Sequence, residues 1–134
     1  MATNKKHGKW RKRTLAVRGG QVRSGFQETS EALFMTSGYA YEQAEEAEAR
    51  FKGESPGYQY SRFGNPTVSM FEERMAALEG AAVGRATATG MAAVSAALMA
   101  GLSAGDHIVA AKAMFGSCLH VVTNILPRFG ISHT

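Results

Sequence analysis

Val68, Phe71, Met75 and Leu78 recur at the spacing of one helix face, and clear end signals bracket them. Asn65 is a good N-cap, Pro66 falls at the first helical position, and Gly80 closes the run. The stripe predicts a helix from Pro66 whose apolar face packs into a core. Upstream, Tyr41 to Lys52 is acidic and alanine-rich with Gly53 behind it, a second helix and its stop. Downstream, Ala81 to Thr89 is small and partly β-branched and reads as a buried strand. Gly90 to Leu102 reads as a helix, broken by Gly101 and Gly105. His107 to Ala111 reads as a strand, and Gly116 to Phe129 as a helix that ends or bends near Pro127. The last residues then enter another strand. Strand, helix, strand, helix in this order implies a parallel α/β sheet. Before residue 41 the pattern is weaker. Thr14 to Gly20 reads as a short extended piece, and Leu33 to Tyr39 as a loop or short strand. Gly53 to Gly64, rich in Gly, Ser, Pro and Tyr, is a long loop of the kind that often carries function.

Composition sharpens this division. The chain has 134 residues, enough for one domain with a real core, and its hydrophobic content of 45% suits a globular protein. No apolar run approaches the roughly 20 residues of a membrane span. Met1 to Lys6 has no apolar stretch behind it, so a secretory signal is not supported. Cys118 is the single cysteine, which suits a reducing, cytoplasmic setting. The net charge of +4 is unevenly placed. Met1 to Arg23 holds eight Lys/Arg and no acid, and the rest holds seven basic and eleven acidic residues. The basicity belongs to an arm. Only Trp10 is interleaved with it, so the stacking pattern of a nucleic-acid binder is missing. Residues 1–13 read as a disordered basic tail.

The candidate chemistry gathers at two places. In Tyr60-Ser61-Arg62-Phe63-Gly64-Asn65-Pro66-Thr67 a phenol and a guanidinium stand just before a helix start. Arginine can grip a phosphate through two N–H groups, and a phenol can add a hydrogen bond; the alternative is an ordinary surface loop. In Thr89-Gly90-Met91 a strand feeds a helix, whose first N–H groups point outward towards any anion. Gly90 lets that anion approach the backbone, or serves packing. Phe115 follows the next strand and could stack on a flat ring or sit in the core. His7, His107, His120 and His133 lack metal-ligand spacing. Glu72-Glu73 reads as solvated charge.

These motifs carry a family likeness. Tyr60 to Thr67, Glu72 to Gly80, Ala86-Thr87-Ala88-Thr89-Gly90-Met91-Ala92, Gly105 to Val109 and Phe115-Gly116 resemble the Cys/Met-metabolism family of pyridoxal-phosphate enzymes. Thr14 to Gln21 and Glu31 to Ser37 resemble its sulfhydrylase branch. The resemblance implies the N-terminal portion of a fold-type I, aminotransferase-like α/β enzyme, with a parallel-rich sheet and flanking helices. It implies pyridoxal 5'-phosphate as cofactor, with Gly90 and Met91 offering N–H groups to its phosphate and Phe115 stacked on its ring. Tyr60 and Arg62 would reach the cofactor phosphate of a neighbouring subunit, so a homo-oligomer, a dimer or tetramer, is expected. Residues 14–64 would be an N-terminal arm and active-site loop, and residues 65–134 the start of the large cofactor domain. The implied reaction is γ-replacement of O-succinylhomoserine by sulfide to give homocysteine. The synthase and γ-lyase branches, and a non-catalytic module, are the alternatives. None of the lysines sits in the family's Schiff-base motif, so the chain alone is expected to be inactive.

Overall fold

Helix ends follow local signals here, while the faces that helices bury follow tertiary contacts. The computed structural model describes residues 10–134. Most of the expected basic tail, residues 1–9, lies outside the described residues. The chain forms two compact units, one ending at Ala86 and one spanning Thr87–Thr134.

In the first unit the expected extended piece is a helix, α1 (Lys12–Arg18). Thr14 and Val17 favour strands only weakly when no neighbouring strand pairs with them. Burial of Leu15 and packing on α3 (Pro66–Glu79) decide the conformation instead. The junction is tight. Gly20 adopts φ +69°, and a Cβ there would collide with the Met70 carbonyl. Arg74 on α3 donates from Nε to the Gly19 carbonyl (2.9 Å) and pairs with Glu31. That guanidinium holds the Glu31 carboxyl below its ordinary pKa. Helix α2 (Ala44–Phe51) starts three residues later than expected and carries the ion pairs Arg50–Glu46 and Lys52–Glu48.

Helix α3 starts and stops as its residues dictate, but its packed face differs from the expected one. Val68, Phe71 and Met75 are exposed, and Ala76 is buried. The side that packs carries Met70, Glu73 and Arg74 towards Gly19 and Gly20, and Glu72 and Ala76 towards Gly84. The expected strand over Ala81–Thr89 is absent among the described residues. Gly84 lies so close to α3 that a Cβ would stand 2.7 Å from the Glu72 carbonyl oxygen. The Ala86 N–H donates to the Glu72 carboxylate (2.8 Å) rather than to a strand. Small residues serve close approach to a helix as readily as they serve a buried strand.

The second unit is the parallel α/β element that the pattern predicts. Helix α4 (Gly90–Gly101) leads to β1 (His107–Ile108), then to α5 (Gly116–His120) and on to β2 (Ser132–His133). The strands pair in parallel, His107 with Ser132 and Ile108 with His133. Bonds from Ser132 N to Asp106 O (2.9 Å), Thr134 N to Ile108 O (3.0 Å) and Ala110 N to Thr134 O (3.0 Å) extend the ladder. After α5 the helical path widens to a π-turn at Val121–Ile125, then tightens to a 3₁₀ turn at Leu126–Phe129. Pro127 in that last turn has no N–H to continue the helix, and Gly130 (φ 75°) ends it. Val121, Leu126 and Ile131 form the buried core, with Met91, Leu98, Leu102, Ile108 and Ile125 packed against them. This cluster seats the helix that opens at Gly90. Among the described residues no helix is long and apolar enough to cross a membrane.

Candidate cofactor site

The Tyr60–Thr67 run folds as a tight turn leading into α3. Its backbone is fixed by Phe63 N to Tyr60 O (2.9 Å) and Gly64 N to Tyr60 O (3.2 Å). Ser61 is the inward residue. Its N–H donates to Ser37 O (2.9 Å), its hydroxyl donates to Thr36 O, and Asn65 Nδ2 donates to that hydroxyl (3.1 Å). Asn65 is 6% exposed and joins three segments. It caps α3 by accepting from Thr67 N (2.9 Å), and its Nδ2 also donates to Phe34 O (2.8 Å). With Ser61 and Asn65 committed inward, Tyr60 and Arg62 project outward. The Arg62 guanidinium lies 5.5 Å from the Tyr60 ring centroid and 5.2 Å from that of Phe63. Among the described residues no acceptor takes a hydrogen bond from Arg62, and no carboxylate pairs with it. Its donors face solvent, ready for an anion.

In the second unit, Thr89 caps α4 by accepting from Ala92 N (3.1 Å), and Ala93 N makes the first backbone bond, to Thr89 O (3.0 Å). The N–H groups of Gly90 and Met91 precede that bond and remain available. A Cβ built on Gly90 would meet nothing within 4 Å, so no side chain or backbone of the described residues crowds that residue. The twelve-residue helix adds its dipole to this end. A short connection joins α4 to β1, so the helix runs antiparallel to the strand and its N-terminus lies at the carboxyl edge of the sheet. Phe115 follows β1 on that same edge as the N-cap residue of α5, which packs against α4. It is 74% exposed, so it is not a core phenylalanine within this unit. Two open N–H groups, an uncrowded glycine and an exposed aromatic ring suit a ligand with a phosphate and a flat ring.

Two residues of this region escaped the sequence reading. Glu72 is not solvated charge: its side chain is only 16% exposed, and its carboxylate takes the Ala86 N–H and the Arg85 guanidinium (3.3 Å). Nothing in its spacing announces that contact. Phe63 contacts Arg62, and the signal was present, since an aromatic on either side of an arginine in a turn can place both rings against it.

An α/β unit with an open helix N-terminus at the carboxyl edge of a parallel sheet is an arrangement that can receive an anion. Comparison with known proteins gives the particular family. Residues 13–134 match the family described as Cys/Met metabolism PLP-dependent enzyme, and the chain belongs to it. An O-succinylhomoserine sulfhydrylase of Mycobacterium tuberculosis is 58% identical over 118 residues, covering 88% of this chain and 29% of that protein. An L-methionine gamma-lyase of Porphyromonas gingivalis is 36% identical over 121 residues, covering 90% of this chain and 30% of its own length. Among solved structures, an O-acetylhomoserine (thiol)-lyase of Campylobacter jejuni superposes with a TM-score of 0.84 at 32% identity. It covers 92% of this chain and 31% of that one, and holds N'-pyridoxyl-lysine-5'-monophosphate. The chain therefore spans less than a third of the length of these relatives. The family's cofactor, pyridoxal phosphate, combines a phosphate with a flat ring.

Proposed function

We propose that this chain is the N-terminal part of a pyridoxal-phosphate-dependent O-succinylhomoserine sulfhydrylase, which replaces the succinyl group at the γ-carbon with sulfide to give homocysteine. The observation that carries this reading is the difference in likeness, 58% to a sulfhydrylase against 36% to a γ-lyase over nearly the same residues. Pyridoxal phosphate, when bound, supplies the electron sink that allows a γ-substituent to leave. The residues of this chain bind and orient it. Gly90 and Met91 donate backbone N–H groups to the phosphate, with the α4 dipole behind them. Phe115 covers one face of the ring. It has no phenol, so it orients the ring without taking part in proton transfer, which favours replacement over elimination. Tyr60 and Arg62 grip the phosphate of a neighbouring subunit, which makes the active protein a homo-oligomer, a dimer or tetramer. Residues 14–64 then serve as arm and active-site loop, and residues 65–134 open the large cofactor domain. None of the chain's own lysines forms the Schiff base. The setting is cytoplasmic.

The test uses the full-length polypeptide that carries this sequence. Supplied with O-succinylhomoserine, it should form homocysteine from sulfide faster than cystathionine from cysteine. Faster use of cysteine would make it a cystathionine γ-synthase. Release of a ketoacid as the main product even with sulfide present would make it a γ-lyase.

A further inference from the structure

We infer that Phe63 is a positioning residue, holding the Arg62 guanidinium in place for its anion. The inference rests on the reading above that Arg62 grips a phosphate. An arginine on a surface turn loses rotamer freedom when it binds, and that loss opposes affinity. Here the freedom is already restricted. The guanidinium carbon lies 5.2 Å from the Phe63 centroid and 5.5 Å from the Tyr60 centroid. Both fall inside the cation–π range of about 6 Å. The two rings stand edge to face, 6.4 Å apart at 65°, so each also fixes the other. The turn that brings Phe63 back beside Tyr60 is closed by two backbone bonds onto the Tyr60 carbonyl.

The choice of an aromatic follows from charge. A carboxylate could also hold Arg62, but it would occupy the N–H donors and neutralise the cation that the phosphate needs. A ring face attracts the cation and leaves those donors open. Phe63 is 73% exposed, so its ring contributes little to any core of this unit. Unlike Tyr60 it has no polar side-chain atom and so offers an anion no hydrogen bond of its own, and its cationic contact is Arg62.

The experiment compares Phe63→Leu, Phe63→Tyr, Arg62→Ala and the Phe63→Leu/Arg62→Ala double variant in the full-length polypeptide. Pyridoxal phosphate affinity is read by fluorescence titration, and the Arg62 side-chain protons by NMR without cofactor. Phe63→Leu should weaken cofactor binding about two- to fivefold, the range of an exposed cation–π contact. Phe63→Tyr should restore it, and Phe63→Leu should add nothing once Arg62 is alanine. The Arg62 δ and ε protons should show an upfield ring-current shift that Phe63→Leu reduces and Phe63→Tyr keeps. The inference is overturned if Phe63→Leu weakens binding equally with and without Arg62, or if it changes neither affinity nor the proton shifts. Should Phe63→Leu fail to fold, absence of the ring-current shift in the unsubstituted protein overturns it. If Arg62→Ala leaves affinity unchanged, the phosphate role of Arg62 falls, and this inference with it; a loss with Arg62→Ala but none with Phe63→Leu removes this inference alone.

Discussion

Helices α3 and α4 both open with a polar cap, yet the two openings are built for different ends. At α3 the start is partly closed, with only the Val68 N–H left before the first backbone bond, from Ser69 N to Asn65 O. Pro66 has no N–H, Asn65 satisfies Thr67, and the rest of the Asn65 side chain is spent on Phe34 and Ser61. At α4 the start is open. Thr89 satisfies Ala92, while the N–H groups of Gly90 and Met91 have no partner among the described residues and no atom crowds the Cβ side of Gly90. A helix N-terminus always presents unmatched donors. Where the fold matches them internally, the terminus is an anchor. Where it leaves them bare beside a glycine, they are available to a ligand.

This contrast can be broken by exchanging the two kinds of loss. Asn65→Ala should give the largest effect on stability. It removes a cap and two buried hydrogen bonds, about 2–4 kcal/mol together. Denaturant unfolding of the full-length polypeptide measures it, and Asn65→Asp should lose less because it keeps the acceptor for Thr67. A loss within experimental error would mean that α3 is not anchored by this residue. Gly90→Val should do the reverse. No atom stands where its Cβ would go, so unfolding should be nearly unchanged. Pyridoxal phosphate binding should fall roughly ten- to a hundredfold, the range for charge-assisted hydrogen bonds lost at a crowded backbone. Equal damage to folding would remove the distinction between the two termini.

Phe115→Ala sharpens the same point with a smaller effect. Stacking of this kind is worth about 0.5–1.5 kcal/mol, so cofactor affinity should drop severalfold in equilibrium titration while the melting temperature stays in place. The smallest effect concerns acid. Glu31 is held below its ordinary pKa by Arg74, and Glu28 by the Ser24 backbone N–H and hydroxyl. A carboxyl lowered on folding contributes stability above its unfolded pKa, and that stability is lost as pH falls through the folded value. Protection from hydrogen exchange at Ser24 and Gly19, corrected for the intrinsic rate at each pH, should therefore fall only once the pH drops below the ordinary glutamate value of 4.5. Glu31→Gln should remove part of that dependence. An unchanged profile in Glu31→Gln would show that the Arg74 pair does not tie α1 and the following loop to α3.

Local chemistry was legible wherever a single residue type has one good use. Asn65-Pro66 and Gly80 marked the ends of α3, Thr89-Gly90 the start of α4, and Gly53 the stop behind α2. Each depends on backbone groups a few residues away, so the sequence carries both partners together. The parallel order of β1 and β2 was legible because short apolar runs alternating with helices leave few ways to connect, although the strand expected over Ala81–Thr89 does not form. The donors of Gly90 and Met91 follow from the helix start itself.

What lay beyond reach was every choice between two partners. The sequence by itself determined the ends of α3 and the start of α4, the parallel order of β1 and β2, and which residues could meet a phosphate. Only the tertiary structure decided that Thr14–Gly20 is mostly helix, because Leu15 finds α3 and no strand. It decided which face of α3 packs, because Gly19, Gly20 and Gly84 approach closely enough to exclude larger contacts. It placed Glu72 on the Ala86 N–H, fourteen residues along the chain, and it set Arg62 against the Phe63 ring. Capping is a short-range hydrogen bond whose partners the chain supplies in advance. Burial and ion pairing are settled by whichever distant group the completed fold brings within reach.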